Sequence, residues 1–387
     1  MDTSQYLTEI ISGLTISLLM IPEAIAFAFI LGFPPSVGLH STMIMSLITS
    51  LFGGCPASIS GSTAAVATSL IGIKEMLGQE YIFLAVVMGG IIQMMMGVTG
   101  MYKYIYNISK SVSSGFLIAL GVLIGLSQLQ HFKDTKTGNW FSSDELFTTV
   151  FFSLISIVIA EFGLLALNFS RLLNIKIPGG LISIILLSLL FYIIPYKLPI
   201  QFVKDKGDVK NTIPSFKLPK VEWNIMNIMK TLPFAIAMAI AGLTESIFMV
   251  KEVGEKLKIN TNAFQETIAQ GIANIMSGFA GGIGGCILVG QTKYNLENGS
   301  KTRVSSLFTS LFFILFTLFF SKTIEKIPMP AIIGIMLAIA FKTGDWGSLF
   351  KKMDKKWVII AITSIVGIST SSLALAIIIG SIIELLF

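Results

Sequence analysis

Ile10–Leu31 reads IISGLTISLLMIPEAIAFAFIL, an apolar run that as a helix reaches about 33 Å, enough to cross the hydrocarbon core of a bilayer. Two of its residues are foreign to a plain lipid-facing span. Pro22 cannot donate a backbone hydrogen bond, and Glu23 is costly in lipid unless it faces a cavity, finds a partner or carries a proton. Similar runs recur outward from this one, as at Ile82–Met101 and Phe147–Phe169. With 53% hydrophobic and 12% charged residues among 387, and a mean hydropathy of +0.82, the chain has too few polar residues to coat a soluble globule. The runs have helix length rather than the ten-residue alternation of a barrel, so the fold class is all-α polytopic membrane protein.

Other classes fall away on composition. Met1–Thr8 lacks a basic region and no small-residue cleavage site follows, so the first run is expected to remain as a helix. The net charge of +6 is spread over short loops without a basic arm, which argues against nucleic acid as a partner. Cys55, Cys286, His40 and His131 are too scattered for a firm metal site, and the two cysteines read as small buried hydrophobes. His131 and Lys133 read as a helix end meeting solvent. Walker loops, nucleophile triads and redox motifs are missing, so an enzyme is not expected and transport must be passive or gradient-driven.

Charge and turn residues divide the chain into about 14 segments, starting near 10, 38, 61, 81, 111, 146 and 178, and then near 230, 262, 290, 304, 328, 357 and 371. The polar stretch around Lys204-Asp205-Lys206, Pro214 and Pro219 separates two halves, 1–195 and 230–387, with 196–229 as linker. With both termini cytoplasmic, Arg171, Lys176, Arg303 and the lysines from Lys351 to Lys356 lie inside, while Lys74, Lys133, Lys136, Lys322, Lys326 and the linker lysines lie outside. Seven segments per half make the second half enter the membrane inverted, so likeness between halves implies an inverted repeat. Gly89-Gly90 and Gly121 with Gly125 mark close helix contacts, and Met94-Met95-Met96 reads as adaptable packing.

That likeness is present. Pro22-Glu23-Ala24-Ile25 has a counterpart in Thr244-Glu245-Ser246-Ile247, each an acid in an apolar helix. Downstream, Ala57-Ser58-Ile59-Ser60-Gly61-Ser62-Thr63 matches Cys286-Ile287-Leu288-Val289-Gly290-Gln291-Thr292, each an extended piece, a glycine and a polar pair opening a helix. Gly53-Gly54, Pro56, Gly281-Gly282 and Gly284-Gly285 forbid continuous spans there, so helices 3 and 10 are broken. A helix beginning at mid-membrane exposes unpaired N–H groups and about half a positive charge, which suits an anion. Ser62, Thr63, Gln291 and Thr292 add polar groups, and Phe27 lies one turn beyond Glu23 on the same side.

Taken together, Gly13-Leu14-Thr15, Ile21–Ala28, Pro34–Leu39, Ile59–Ala65, Gly242–Ser246, Ile268–Asn274, Gly284-Gly285-Cys286 and Gly290-Gln291 resemble the SulP anion transporter family, the sulfate permeases and their animal relatives. The resemblance implies a seven-plus-seven inverted repeat with core and gate domains, a homodimer, and an elevator-like displacement of the core. It implies substrate contacts at Glu23, Phe27, Gly61, Ser62, Thr63, Ala64, Val289, Gly290 and Gln291, with Glu245 as the coupling acid and Glu23 as a second titratable group. Two departures accompany it. Family members generally carry a STAS domain after the last helix, and none is expected after Phe387; some relatives have a basic residue where Gln291 stands, so cation coupling is favoured here.

The expectation is a secondary active transporter of a small inorganic or carboxylate anion (sulfate, bicarbonate or a dicarboxylate), in a bacterial inner membrane, driven by H⁺ or Na⁺. No organic cofactor is implied; the one metal to consider is a coupling Na⁺ near Glu245. The alternatives are a passive anion channel or exchanger, a nucleobase permease of the related uracil-permease fold, and a non-transporting scaffold.

Overall fold

The structure, a computed structural model, describes residues 3–133, 139–166, 179–193, 198–207, 209, 213–350 and 354–386. Outside them lie the expected segment start at 178, the half boundary at 195, and the topology assignments of Lys136, Arg171, Lys176, Lys351 and Lys352.

Helices form close to where the apolar runs begin. Helices of four or five residues aside, such as Ile73–Met76, Tyr102–Tyr106 and Ser321–Ile324, in the first half they are α1 (Thr3–Ile30), α2 (Pro35–Phe52), α3 (Ala64–Ser69), α4 (Glu80–Val98), α5 (Lys110–Ser127), α6 (Ser143–Ala166) and α7 (Gly179–Ile193). In the second they are α8 (Ile225–Leu257), α9 (Ala263–Phe279), α10 (Val289–Glu297), α11 (Arg303–Phe319), α12 (Met329–Thr343), α13 (Lys355–Thr370) and α14 (Leu373–Leu386). Among the described residues, five segments are long and apolar enough to cross a membrane, namely 3–30, 80–98, 110–132, 143–161 and 225–257. Four shorter apolar helices, α7, α11, α12 and α14, accompany them.

Local chemistry sets the ends. The Asn224 side chain accepts from the Asn227 N–H, at 2.7 Å, and starts α8 at Ile225, so the last residues of the expected 196–229 linker are helical. Ser109, Asn262, Thr302 and Asp354 cap α5, α9, α11 and α13 in the same way. Glu9 shows a longer-range version. This fully buried carboxylate on α1 accepts from the Lys301, Thr302 and Ser305 N–H groups at 2.8–3.1 Å, which anchors α1 to the start of α11.

The helices pack as two interleaved groups. α1, α2, α4, α8, α9 and α11 form one group, with the closest partnerships being α4 with α9 and α1 with α11, and within it α3 and α10 pack mainly on α8 and α1. α5, α6, α7, α12, α13 and α14 form the second group, and lighter contacts such as α1 with α12, α3 with α5 and α8 with α14 join the two. Two of the glycine expectations hold: a Cβ on Gly90 would lie 2.6 Å from the Gly271 carbonyl, and one on Gly121 would lie 2.6 Å from that of Ala340. Gly125 differs, because its nearest neighbour would be the Ala340 Cβ at 3.9 Å. The reading of His131 is also corrected: its ring is buried edge-on against Phe29, because the chain after α5 turns back over the end of α1.

α3 and α10 are preceded by extended chain, and the two extended pieces meet. β1 (Ser60–Gly61) pairs antiparallel with β2 (Cys286–Ile287), with Ser60 opposite Ile287 and Gly61 opposite Cys286. The Leu288 N–H donates to the Ile59 carbonyl at 2.8 Å, and the Ile59 N–H to the Thr292 hydroxyl at 3.0 Å, which extends the ladder into the start of α10. Gly285 permits this approach, since a Cβ there would sit 1.9 Å from the Gly61 carbonyl oxygen.

Two stability outcomes follow. Gly285→Ala should prevent the strands from meeting and cost at least the ~1–3 kcal/mol typical of overpacking, whereas Gly125→Ala should be tolerated; thermal unfolding of both variants in detergent checks this. Glu9→Ala should lower the melting temperature through the buried N–H groups it orphans, at about 1–3 kcal/mol, measured the same way.

Candidate functional site

The strand pair brings the expected site residues together. α3 holds six residues and α10 nine, lengths of about 9 and 14 Å, so neither crosses a bilayer and both begin inside the protein. Pro56, Ala57 at φ +59° and Gly284 at φ +72° bend the chain into each extended piece. The two helices run away from the β1–β2 pair.

Glu23 and Gln291 face each other across this junction. Both are buried, and the Gln291 amide donates to the Glu23 carboxylate, which ties α1 to the first turn of α10. Pro22 lies beside Glu23, and Phe27 is buried in the same helix one turn on. Val289 and Gly290 open α10, where no side chain caps the helix. Gly290 is exposed, and a side chain placed on it would meet nothing within 4 Å. Free space therefore borders an uncapped helix N-terminus next to the Glu23–Gln291 contact.

Glu245 reaches the junction from the other side through sulfur. The Cys286 thiol donates to the Glu245 carboxylate at 3.0 Å and lies 3.0 Å from the Thr63 hydroxyl. Thr63 caps α3 by accepting from the Val66 N–H, so one chain of contacts links the acid on α8, strand β2 and the start of α3. The Ser246 hydroxyl, next to Glu245, accepts from the Ile287 N–H at 3.2 Å. Cys286 is buried in the core as expected, and register in addition places its thiol between two polar partners. Cys55 is buried, with its N–H bonded to Glu266.

Not every predicted site residue turns toward the opening. The Ser62 hydroxyl donates to the Gly38 carbonyl and accepts from Thr42, while the Ser62 N–H donates to the Thr42 hydroxyl at 3.1 Å. Its polar atoms are therefore engaged by α2. Gly61 and Ala64 are buried beside it, and a Cβ on Gly61 would press on Met20, Thr42 and Leu288 at 3.0–3.1 Å. Among the described residues, no group of three or more His, Cys, Asp or Glu side chains is arranged to hold a metal.

A supporting set of polar residues was not singled out from the sequence. Asn274 on α9 brackets Gly285, accepting from its N–H at 2.8 Å and donating to its carbonyl at 3.0 Å, and also donates to Gln93. Asn295 on α10 donates to the Ala57 carbonyl and Ser305 and accepts from Ser12. Glu266 accepts from the Gly54 N–H, the Cys55 N–H and Gln270, and Gln270 also donates to Ser60. The signal available in sequence was the presence of Gln93 and Asn274 within apolar helices; Glu266 stands in a first helical turn, where an acid looks ordinary.

Comparison with known proteins agrees with this architecture. The Sulfate permease family matches residues 7–363. The chain is 29% identical over 383 residues to the "Putative sulfate transporter YbaR" of Bacillus subtilis, covering 98% of this chain and 76% of that protein. It is 23% identical to the "Bicarbonate transporter BicA" of Synechocystis, covering 88% of this chain and 62% of that protein. The solved transmembrane domain of a cyanobacterial bicarbonate transporter BicA superposes with a TM-score of 0.80 at 20% identity, covering 97% of this chain and 98% of that one. The overall structure of SLC26A9 gives 0.80 at 18% identity, covering 99% and 65%. These relatives are transporters rather than enzymes. The match over residues 7–363, on a fold that meets at two broken helices, establishes that this chain belongs to the sulfate permease (SulP) family.

Proposed function

We propose that the chain is a secondary transporter of a small oxyanion or carboxylate, driven by a co-transported H⁺ or Na⁺. The observation that carries this reading is the free space at Gly290, bounded by the uncapped start of α10 and the Gln291–Glu23 contact. Unpaired N–H groups and the Gln291 amide supply donors for an anion, and the backbone at Gly290 lets a ligand approach closely. α3 is too short to add a comparable end charge; its contribution is the Thr63 hydroxyl. Sulfate and bicarbonate are the first substrates to test, since relatives at 29% and 23% identity carry those names. Family membership favours an anion over a nucleobase.

Electrostatics give the coupling a reason. An anion brought beside Glu23 and near Glu245 meets like charge, and two such charges at 4 Å repel by about 4 kcal/mol at an effective dielectric of 20. A proton on either acid, or a sodium ion beside it, removes that repulsion, so substrate and cation bind better together than apart. Glu245 is assigned as the coupling acid because its charge state bears on the Cys286 thiol and, through it, on Thr63 at the start of α3. Movement of the α1–α4 and α8–α11 group against the remaining helices, an elevator-like step within a seven-plus-seven inverted repeat, would carry the site across the membrane. The lighter packing between the two groups supports that division. A homodimer completes the reading.

Uptake of radiolabelled sulfate, bicarbonate and fumarate into proteoliposomes, under an imposed pH or sodium gradient, tests the proposal. Wild type should accumulate one of these anions above equilibrium, and Glu245→Gln should lose accumulation by about tenfold or more while still binding substrate. Uptake that only equilibrates, identically in both proteins, would establish a passive pathway instead. Gly290→Ala separates site from scaffold: its methyl enters open space, so unfolding should stay within about 0.5 kcal/mol of wild type while transport falls. Gln291→Ala should weaken substrate binding by about tenfold, the worth of one charge-assisted hydrogen bond.

A further inference from the structure

A cleft of about 670 Å³ lies between the two helix groups, away from the Gly290 site. α1 contributes Leu18, Ile21 and Pro22, α7 contributes Ile185 and Leu189, and α11 contributes Phe316. The volume falls within the range of about 300–1,000 Å³ seen for small-molecule and cofactor sites. Its walls are almost entirely apolar, and its charged lining residues are Lys204 and Lys326, which form the rim.

The two lysines are placed there by structure. The Val203 N–H donates to the Ile327 carbonyl at 3.0 Å and the Lys204 N–H to the Glu325 carbonyl at 3.2 Å, so the segments carrying the lysines run side by side. Both side chains are exposed, and the Lys204 ammonium lies 5.6 Å from the centre of the Phe202 ring. Among the described residues neither lysine makes an ion pair, and the neighbouring Asp205 carboxylate is occupied by the Phe202 N–H at 2.8 Å. Tyr192, in the last turn of α7 and exposed, lines the same cleft, and exposed aromatic and basic side chains together are the pattern found where a membrane protein meets lipid headgroups.

The geometry points to this cleft as a binding site for an anionic phospholipid, its acyl chain between α1, α7 and α11 and its phosphate on Lys204 and Lys326. Acyl chains are the apolar filler available in a bilayer, and the paired ammonium groups select charge at the headgroup. A second apolar cleft, about 570 Å³ between α8 and α14, provides the contrast, because its polar lining is Thr68, Ser69, Thr370, Ser371 and Ser372, without a charged residue. It offers room for a chain without selecting an anionic head. Since Pro22 in the first cleft adjoins Glu23, an occupant there also sets the spacing of α1 from α7.

The test uses full-length protein and native mass spectrometry, counting lipids retained from dioleoyl phosphatidylglycerol, dioleoyl phosphatidylcholine or oleate. Phosphatidylglycerol should be retained in preference to phosphatidylcholine, and Lys204→Gln with Lys326→Gln should abolish the preference, at about fivefold per lysine. Lys322→Gln, an exposed lysine outside the cleft, should leave it unchanged. Ile185→Trp, which fills the cleft, should reduce retention of either phospholipid. Equal retention of the two phospholipids, a preference that survives the double substitution, or retention of oleate alone would overturn the assignment. Because the readout is lipid binding, a selective but transport-inactive chain would contradict only the transport reading.

Discussion

The pairing of Ser60–Gly61 with Cys286–Ile287 is the constraint on which the rest of the structure depends. Extended backbone inside a membrane protein has no water to satisfy its N–H and carbonyl groups, so it exists only where another element supplies partners. Here each broken segment supplies them for the other. Once that pair forms, α3 and α10 must start within the protein, and the helices carrying Glu23 and Glu245 must stand beside those starts. Asn274, Gln270 and Asn295 then occupy the remaining polar positions around the pair, from α9 and α10.

The same constraint explains how the buried acids divide. Glu9 and Glu266 each accept at least two backbone N–H groups from a distant segment, which makes Glu9 a cap for α11 and Glu266 an anchor for the chain that follows α2. Glu23 and Glu245 instead accept from single side chains, Gln291 and Cys286, both at the junction of the broken helices. A carboxylate held by several rigid N–H donors resists change, whereas one held by a single side chain exchanges its partner more readily. The two acids at the junction are thus distinguished from the others by their partners, since burial is common to all four.

The interleaving of the halves also bears on function. α1–α4 pack with α8–α11, so the junction is built from both halves of the chain, while α5–α7 and α12–α14 form a separate layer. The large apolar cleft falls along the border between these layers, and α1 is shared by its wall and by the site. The cleft wall and the Glu23–Gln291 contact thus share one helix.

Sequence alone determined the membrane class, the starts of most helices and the break points, because apolar run length, glycine, proline and capping residues act locally. It also picked out Glu23, Glu245 and Gln291, since a polar side chain in an apolar span has few roles open to it. Tertiary structure decided what pairing across hundreds of residues imposes. It turned the Ser62 hydroxyl toward α2 and the Cys286 thiol toward Glu245, buried His131 under Phe29, and made Glu9 a cap for α11. None of these outcomes is encoded in local spacing, because each depends on which donor or ring a distant segment presents once the two broken helices have met.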